Sequence, residues 1–167
     1  MRATLLSIAS VSLLMSCGDD EMLVPHTGTS WVASVDSACL MLPNVFTPNG
    51  DGMNDELVAL CEFAVSGTLS VRTLTLEPIF HTTQLYDDWD GRMADGTPAP
   101  SGWYFATAHV RTESGEDLYA NVHLRLVRHP ESECLPIAFE IITRDMIDPR
   151  RCAELLYTTN DQFIRCQ

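Results

Sequence analysis

From Ala38 the chain becomes strand-like, and its clearest segments alternate apolar and polar positions with a period of two, the spacing of half-buried strands rather than of helices. Trp103–Thr112 is the clearest case. Tyr104, Ala106, Ala108 and Val110 fall on one side, and Phe105, Thr107, His109 and Arg111 on the other. Glu113-Ser114-Gly115-Glu116 reads as a hairpin turn, after which Tyr119–Val127 returns with Val122, Leu124 and Leu126 inward and His123 and Arg125 outward. Weaker strand signals lie at Leu40–Leu42, Val45-Phe46, Leu57–Cys61, Thr68–Leu76 and Ile79–Thr82. Thr47–Gly52, Trp89-Asp90-Gly91 and Asp95-Gly96 punctuate them as turns. About seven short strands with turn signals every 8–12 residues predict an all-β sandwich.

The flanks differ. Met1-Arg2, the apolar run Leu5–Met15 and Ser16 have the layout of a secretory signal peptide, and the run is too short for a permanent span of about 20 residues. Leu14-Met15-Ser16-Cys17 resembles the lipobox of bacterial lipoproteins, which implies removal of residues 1–16 and acylation of Cys17. Several acyl chains would then hold the protein stably on a membrane. The acidic Asp19-Asp20-Glu21 resembles the surface-export signal of Bacteroidetes lipoproteins, though a solvated linker would look the same. Residues 17–37 read as a flexible acidic tether, 38–128 as the sandwich and 129–167 as a short C-terminal extension. In the extension Leu135–Thr143 reads as a strand. Beyond it, Asp148-Pro149 opens a short helix, or Ala153–Thr158 and Gln162–Cys166 form a hairpin.

Composition narrows the function. The chain carries 23 acidic and 10 basic residues, every basic one Arg, for a net charge of −13. Nucleic acid and anionic lipid headgroups should repel it. No GxSxG, HExxH, P-loop or dinucleotide motif occurs, so an enzyme is not expected. His109 and His123 are placed nearly opposite each other on the outward face of the hairpin, a pair that lacks a third metal ligand.

Leu42-Pro43-Asn44-Val45-Phe46-Thr47-Pro48-Asn49-Gly50-Asp51-Gly52-Met53-Asn54-Asp55 is similar to the opening of the gliding motility-associated C-terminal domain. Trp89-Asp90-Gly91, Gly96–Phe105 and the closing strand Val122–Val127 resemble later segments of that family in the same order. The resemblance covers about residues 39–128 and implies an immunoglobulin-like β-sandwich. Many members act as type B sorting signals for type IX secretion. Thr73–Leu76 stands where the family usually has Asn-Arg-Trp-Gly, and here the domain makes up nearly the whole mature chain.

The resemblance also implies a Cys39–Cys61 disulfide, since members often carry Cys at both places. In an oxidising compartment the tail cysteines are half-cystine candidates too. The hairpin reading pairs Cys152 with Cys166 and leaves Cys134 free or intermolecular, whereas the helix reading favours Cys134 with Cys152. Asn49, Asp51 and Asp55 invite a calcium reading, but EF-hand spacing places Met53 at a ligand position in either frame, and an Asx turn fits better. The expectation is a non-enzymatic, membrane-anchored lipoprotein of the outer membrane, at the cell surface or on its periplasmic face. It carries an interaction module for a protein or glycan partner. The alternatives are a type IX sorting module and a calcium-stabilised adhesion or glycan-binding module.

Overall fold

The computed structural model describes residues 31–130, 132–135, 140–148 and 150–156, and the backbone of 164–165. Residues 1–16, Cys17, Asp19, Asp20, Glu21 and Cys166 lie outside the described residues. The strands are β1 (Val32–Val35), β2 (Ala38–Met41), β3 (Val45–Phe46), β4 (Leu60–Glu62), β5 (Ala64–Thr73), β6 (Pro78–Thr82), β7 (Gly102–Thr112), β8 (Asp117–Leu126), β9 (Cys134–Leu135) and β10 (Ile164–Arg165). One sheet has the order β3-β8-β7-β5-β6, with β3 parallel to β8 and the other pairs antiparallel. A second, antiparallel sheet has the order β1-β2-β4. The architecture is the all-β sandwich that the alternation predicts.

The inward sets of β7 and β8 are those the sequence assigned: Tyr104, Ala106, Ala108 and Val110, then Val122, Leu124 and Leu126, all buried. They meet Leu40, Phe46, Leu57, Leu69, Val71 and Trp89 in one core. Small Ala106 and Ala108 share that core with the larger Tyr104, Trp89 and Phe46. The tight turn sets the β7–β8 register at Arg111↔Asp117. His109 therefore faces Tyr119 and His123 faces Phe105, so the expected His109–His123 pair does not form.

Three sequence expectations need correction. First, Trp31–Ser37 is not tether. Leu42 N–H donates to Trp31 O, and β1 pairs with β2 along its length, closing a hairpin at Asp36, whose φ is 49°. Four residues of modest hydrophobicity were too short a signal.

Second, the extension is not separable near His129. β2 is buried on both faces: Leu40 enters the sandwich, while Cys39 and Met41 pack against Ile142 and Ile147. Val45 and Val127 are covered in the same way by Leu135 and Ile141. Asn44 stitches the layers together: its N–H donates to Ile142 O, its Oδ1 accepts from Ile142 N–H, and its Nδ2 donates to Glu140 O. Of the expected strand Leu135–Thr143, Leu135 ends β9, residues 136–139 lie outside the described residues, and 140–143 run without regular pairing into a 3₁₀ turn at Arg144–Met146. Turns rather than a helix occupy residues 150–156, and β10 pairs with β9 in parallel; the turn of the expected tail hairpin lies outside the described residues.

Third, the disulfide is Cys39–Cys152, with α-carbons 5.5 Å apart. Cys39 and Cys61 sit on paired strands, but Cys39 is opposite Glu62 and Cys61 opposite Leu40. That one-residue offset sends their side chains to opposite faces of the sheet. Cys61 points into the sandwich as a buried free thiol, which burial holds above the usual thiol range. Cys134 is disulfide-bonded to a partner outside the described residues, so it is not free, and Cys152 is not available to Cys166.

The bridge spans 113 residues, for which the chain-entropy model gives a stabilisation of about 4–5 kcal/mol. Cys152→Ser should lower the free energy of unfolding by about that amount in urea titration. Non-reducing peptide mapping should recover a Cys39–Cys152 peptide, with Cys61 alkylated only after denaturation.

Candidate functional site

Three of the four segments that carry the family resemblance meet at one end of the sandwich. In the first, Thr47 N–H donates to Asn54 O and Thr47 Oγ1 donates to Met53 O, closing a loop. Asp55 fills it: Oδ1 accepts from the N–H groups of Asn49 (3.0 Å) and Gly50 (2.7 Å), and Oδ2 accepts from Gly52 N–H (2.7 Å). Asp51 Oδ1 accepts from Met53 N–H, and Asn49 Oδ1 accepts from Asp51 N–H. Gly50 and Gly52 turn the chain at φ values of 83° and 86°, which side chains rarely adopt. This is the Asx-turn geometry. Asn49, Asp51 and Asp55 are brought together, but their oxygens face amide N–H groups, and no group of three or more His, Cys, Asp or Glu suited to a metal occurs among the described residues.

The second segment hangs on Trp89. Its backbone exchanges two hydrogen bonds with Leu57, and its indole Nε1 donates to Arg92 O at 2.6 Å. The buried ring packs against Phe46 at 5.1 Å and edge-on against Tyr104 at 5.8 Å. Tyr104 in turn donates its hydroxyl to Pro100 O, in the third segment, an arrangement like the tyrosine corner of immunoglobulin folds.

Arg128 joins all three. Its Nη1 donates to Pro48 O (3.0 Å), its Nη2 to Gly91 O (2.6 Å) and its Nε to Ala99 O (2.8 Å). Its backbone N–H donates to Ser101 Oγ, whose proton goes to Glu133 in the extension. Gly91 is required beside it: at φ 76° an added Cβ would lie 2.8 Å from Pro48 Cγ and 3.2 Å from Arg128 Nη2. The sequence reading gave Arg128 no role, since a single Arg after a closing strand looks like any surface charge. The signal that could have found it is the polar loops themselves, whose carbonyls need a donor.

Over this junction lies a shallow cleft of about 370 Å³, bordered by Pro48, Asp55, Glu56, Asp90, Arg92 and Pro98. Arg92 pairs with Asp90 at 3.3 Å, an exposed contact of small energetic weight. A hydrogen bond to Asp88 and the charge of that carboxylate hold Glu56 above the usual carboxylate range. Asp95, in the adjoining 93–97 turn, is held below that range by hydrogen bonds from Thr97.

Arg128→Ala should leave three carbonyls without their donor and cost about 3 kcal/mol or more in chemical denaturation. Arg128→Lys keeps the charge but not the planar fork, and should recover less than half of that loss. Gly91→Ala should be destabilising even with Arg128 intact.

Residues 40–122 match the family model of the CHU_C type IX secretion signal domain. No curated protein matches the chain. The matched span holds the opening loop, Trp89, Gly91 and the segment 98–101, and it ends within β8, a few residues before Arg128. Domains of this kind belong to proteins of the cell envelope or to secreted proteins. Through residues 40–122 this chain belongs to the CHU_C type IX secretion signal domain family.

Proposed function

We propose that this protein is a non-enzymatic lipoprotein of the outer membrane, anchored through Cys17 and displaying the sandwich at the cell surface as an interaction module within a type IX secretion or gliding system. The match of residues 40–122 to a type IX signal domain carries this reading. The lipobox-like Leu14–Cys17 and the acidic Asp19-Asp20-Glu21 that follows support its finer parts, the anchor and the display. The loop junction supports a non-catalytic role, because Asp51, Asp55 and Arg128 there hold backbone groups.

A second reading has a specific observation behind it: the matched family is a sorting signal, so the module itself can be what the secretion machinery handles. Three experiments in the native host separate the readings. Cys17→Ala should move the protein from the outer-membrane fraction to the soluble fraction, and persistence in the membrane would remove the anchor. Replacing Asp19, Asp20 and Glu21 with Ala should preserve acylation and abolish digestion by external protease. Disabling the type IX motor should leave surface digestion unchanged if the acidic signal directs display, and abolish it if the sandwich is the sorting element.

A further inference from the structure

The outward face of the five-stranded sheet has a composition unlike the rest of the molecule. Paired residues of β5, β6, β7 and β8 set out its rows. The central row is His81, Ser70, Thr107 and Asn121, with Ser70 Oγ 2.8 Å from His81 Nδ1. On one side lie Arg72, Phe105 and His123, the Phe105 and His123 rings 4.7 Å apart. On the other side lie Thr68, His109 and Tyr119, the last two stacked at 4.4 Å. Beyond these, Arg125 sits 5.7 Å over the Trp103 ring at one end, and Arg111 stands beside Asp117 at the other.

In a chain of net charge −13, these positions gather Arg72, Arg111, Arg125, His81, His109 and His123 against a single acid, Asp117. Asp117 is already held 2.9 Å from His109 Nε2. Arg125 leans toward Glu133 at 3.4 Å, but neither Arg72 nor Arg111 has a carboxylate partner among the described residues. Arg72, His81, Thr107, Arg111 and His123 are exposed. The face is thus a cationic field on an acidic protein, with hydroxyl and amide groups along its middle and aromatic rings on both sides.

We propose that this face binds an anionic polysaccharide, a chain of linked pyranose rings bearing carboxylate or sulfate groups. It names the partner class of the interaction module proposed above and rests on that reading. Three features select the ligand. Guanidinium groups pair with carboxylate or sulfate oxygens by charge-assisted bonds. Aromatic rings offer flat apolar surface to the C–H faces of sugars, while Ser70, Thr107 and Asn121 supply hydrogen-bonding partners for ring hydroxyls. Neighbouring strands are about 4.8 Å apart, close to the length of one pyranose, so successive sugars can track successive strands. An acidic peptide added as a strand would use the backbone edges of β6 or of β8, which β3 pairs only at Arg125 and Leu126, and would leave the rings and hydroxyls across the face unused, so it fits these features less well.

The test uses the mature full chain with Cys17→Ser, kept soluble, in calorimetric titrations at low and moderate salt. The probes are hexasaccharides of galacturonate and of chondroitin sulfate, maltohexaose and poly-L-glutamate. Saturable binding of either anionic hexasaccharide, weakened by salt and absent for maltohexaose, is expected. Arg72→Ala with Arg111→Ala should weaken it about tenfold or more at an unchanged melting temperature. Phe105→Ala should weaken it several-fold, a loss that charge attraction alone does not give. Failure of both anionic hexasaccharides to bind, or binding indifferent to these substitutions, overturns the proposal. Equal or tighter binding of poly-L-glutamate overturns it too and makes an acidic polypeptide the partner. The protein is soluble in this assay, so either failure leaves the fractionation results on the anchor untouched.

Discussion

The Arg128 guanidinium reaches carbonyl oxygens from three loops that are far apart in sequence, and the end of the sandwich is built around that fact. Loops of this kind have few apolar side chains with which to fix their mutual positions. Their carbonyls still need donors when they close over a core. A guanidinium offers five N–H donors in one rigid plane and stays charged at any working pH, so a single side chain can serve three acceptors at fixed angles. An ammonium group could not hold the same three directions at once. Trp89 supplies the floor of the arrangement, since its ring is the largest fully buried side chain among the described residues, and its backbone ties the second loop to Leu57. Arg128 follows β8 directly, so the last long strand of the sheet also delivers the group that sets the loops at its end.

What the sequence revealed follows the range of the forces involved. The alternation in β7 and β8 is a local signal, and it assigned every inward residue from Tyr104 to Val110 correctly. The turns at Gly50, Gly52 and Gly91 were legible because glycine at positive φ is a local requirement. The Asx turn around Asp55 was legible for the same reason. Registers and layers were not. Whether Cys39 and Cys61 share a face depends on a one-residue offset between β2 and β4, and that offset is fixed by packing. The His109–His123 pairing failed because the turn after Thr112 sets a register with Tyr119 opposite His109. Arg128 stayed hidden because its partners are backbone atoms, which leave no residue-type signature.

The extension illustrates a different limit. The run Ala38-Cys39-Leu40-Met41 is apolar at every position, a pattern that requires cover on both faces of a strand. Its outer cover comes from Ile142 and Ile147, about a hundred residues later in the chain, and Cys39–Cys152 locks the two together. Val45 and Leu135 repeat the device on the neighbouring sheet. A two-layer module with one layer exposed would present Cys39, Met41 and Val45 to water. The third layer removes that apolar surface, so Leu135, Ile141, Ile142 and Ile147 complete the fold that the matched span 40–122 leaves open.

Charge is distributed with the same economy. The chain has no Lys, and several of its Arg side chains have a definite geometric task. Arg128 clamps loops, Arg92 and Arg150 close turns onto Asp90 and Asp148, and Arg125 bridges Trp103 and Glu133. The hydrogen bonds from Arg150 hold the Asp148 carboxyl below its usual range, so that turn is formed above the carboxylate range and loosens only in acid. Arg72 and Arg111 have no such carboxylate task, and both stand on the same sheet face. In an immunoglobulin variable domain the loops at one end supply the binding chemistry, because a rigid scaffold frees them for it. Here the corresponding loops spend their donors and acceptors on one another. The guanidinium groups without such a task, Arg72 and Arg111, stand on the strands instead, where the sheet holds their backbone at fixed spacing.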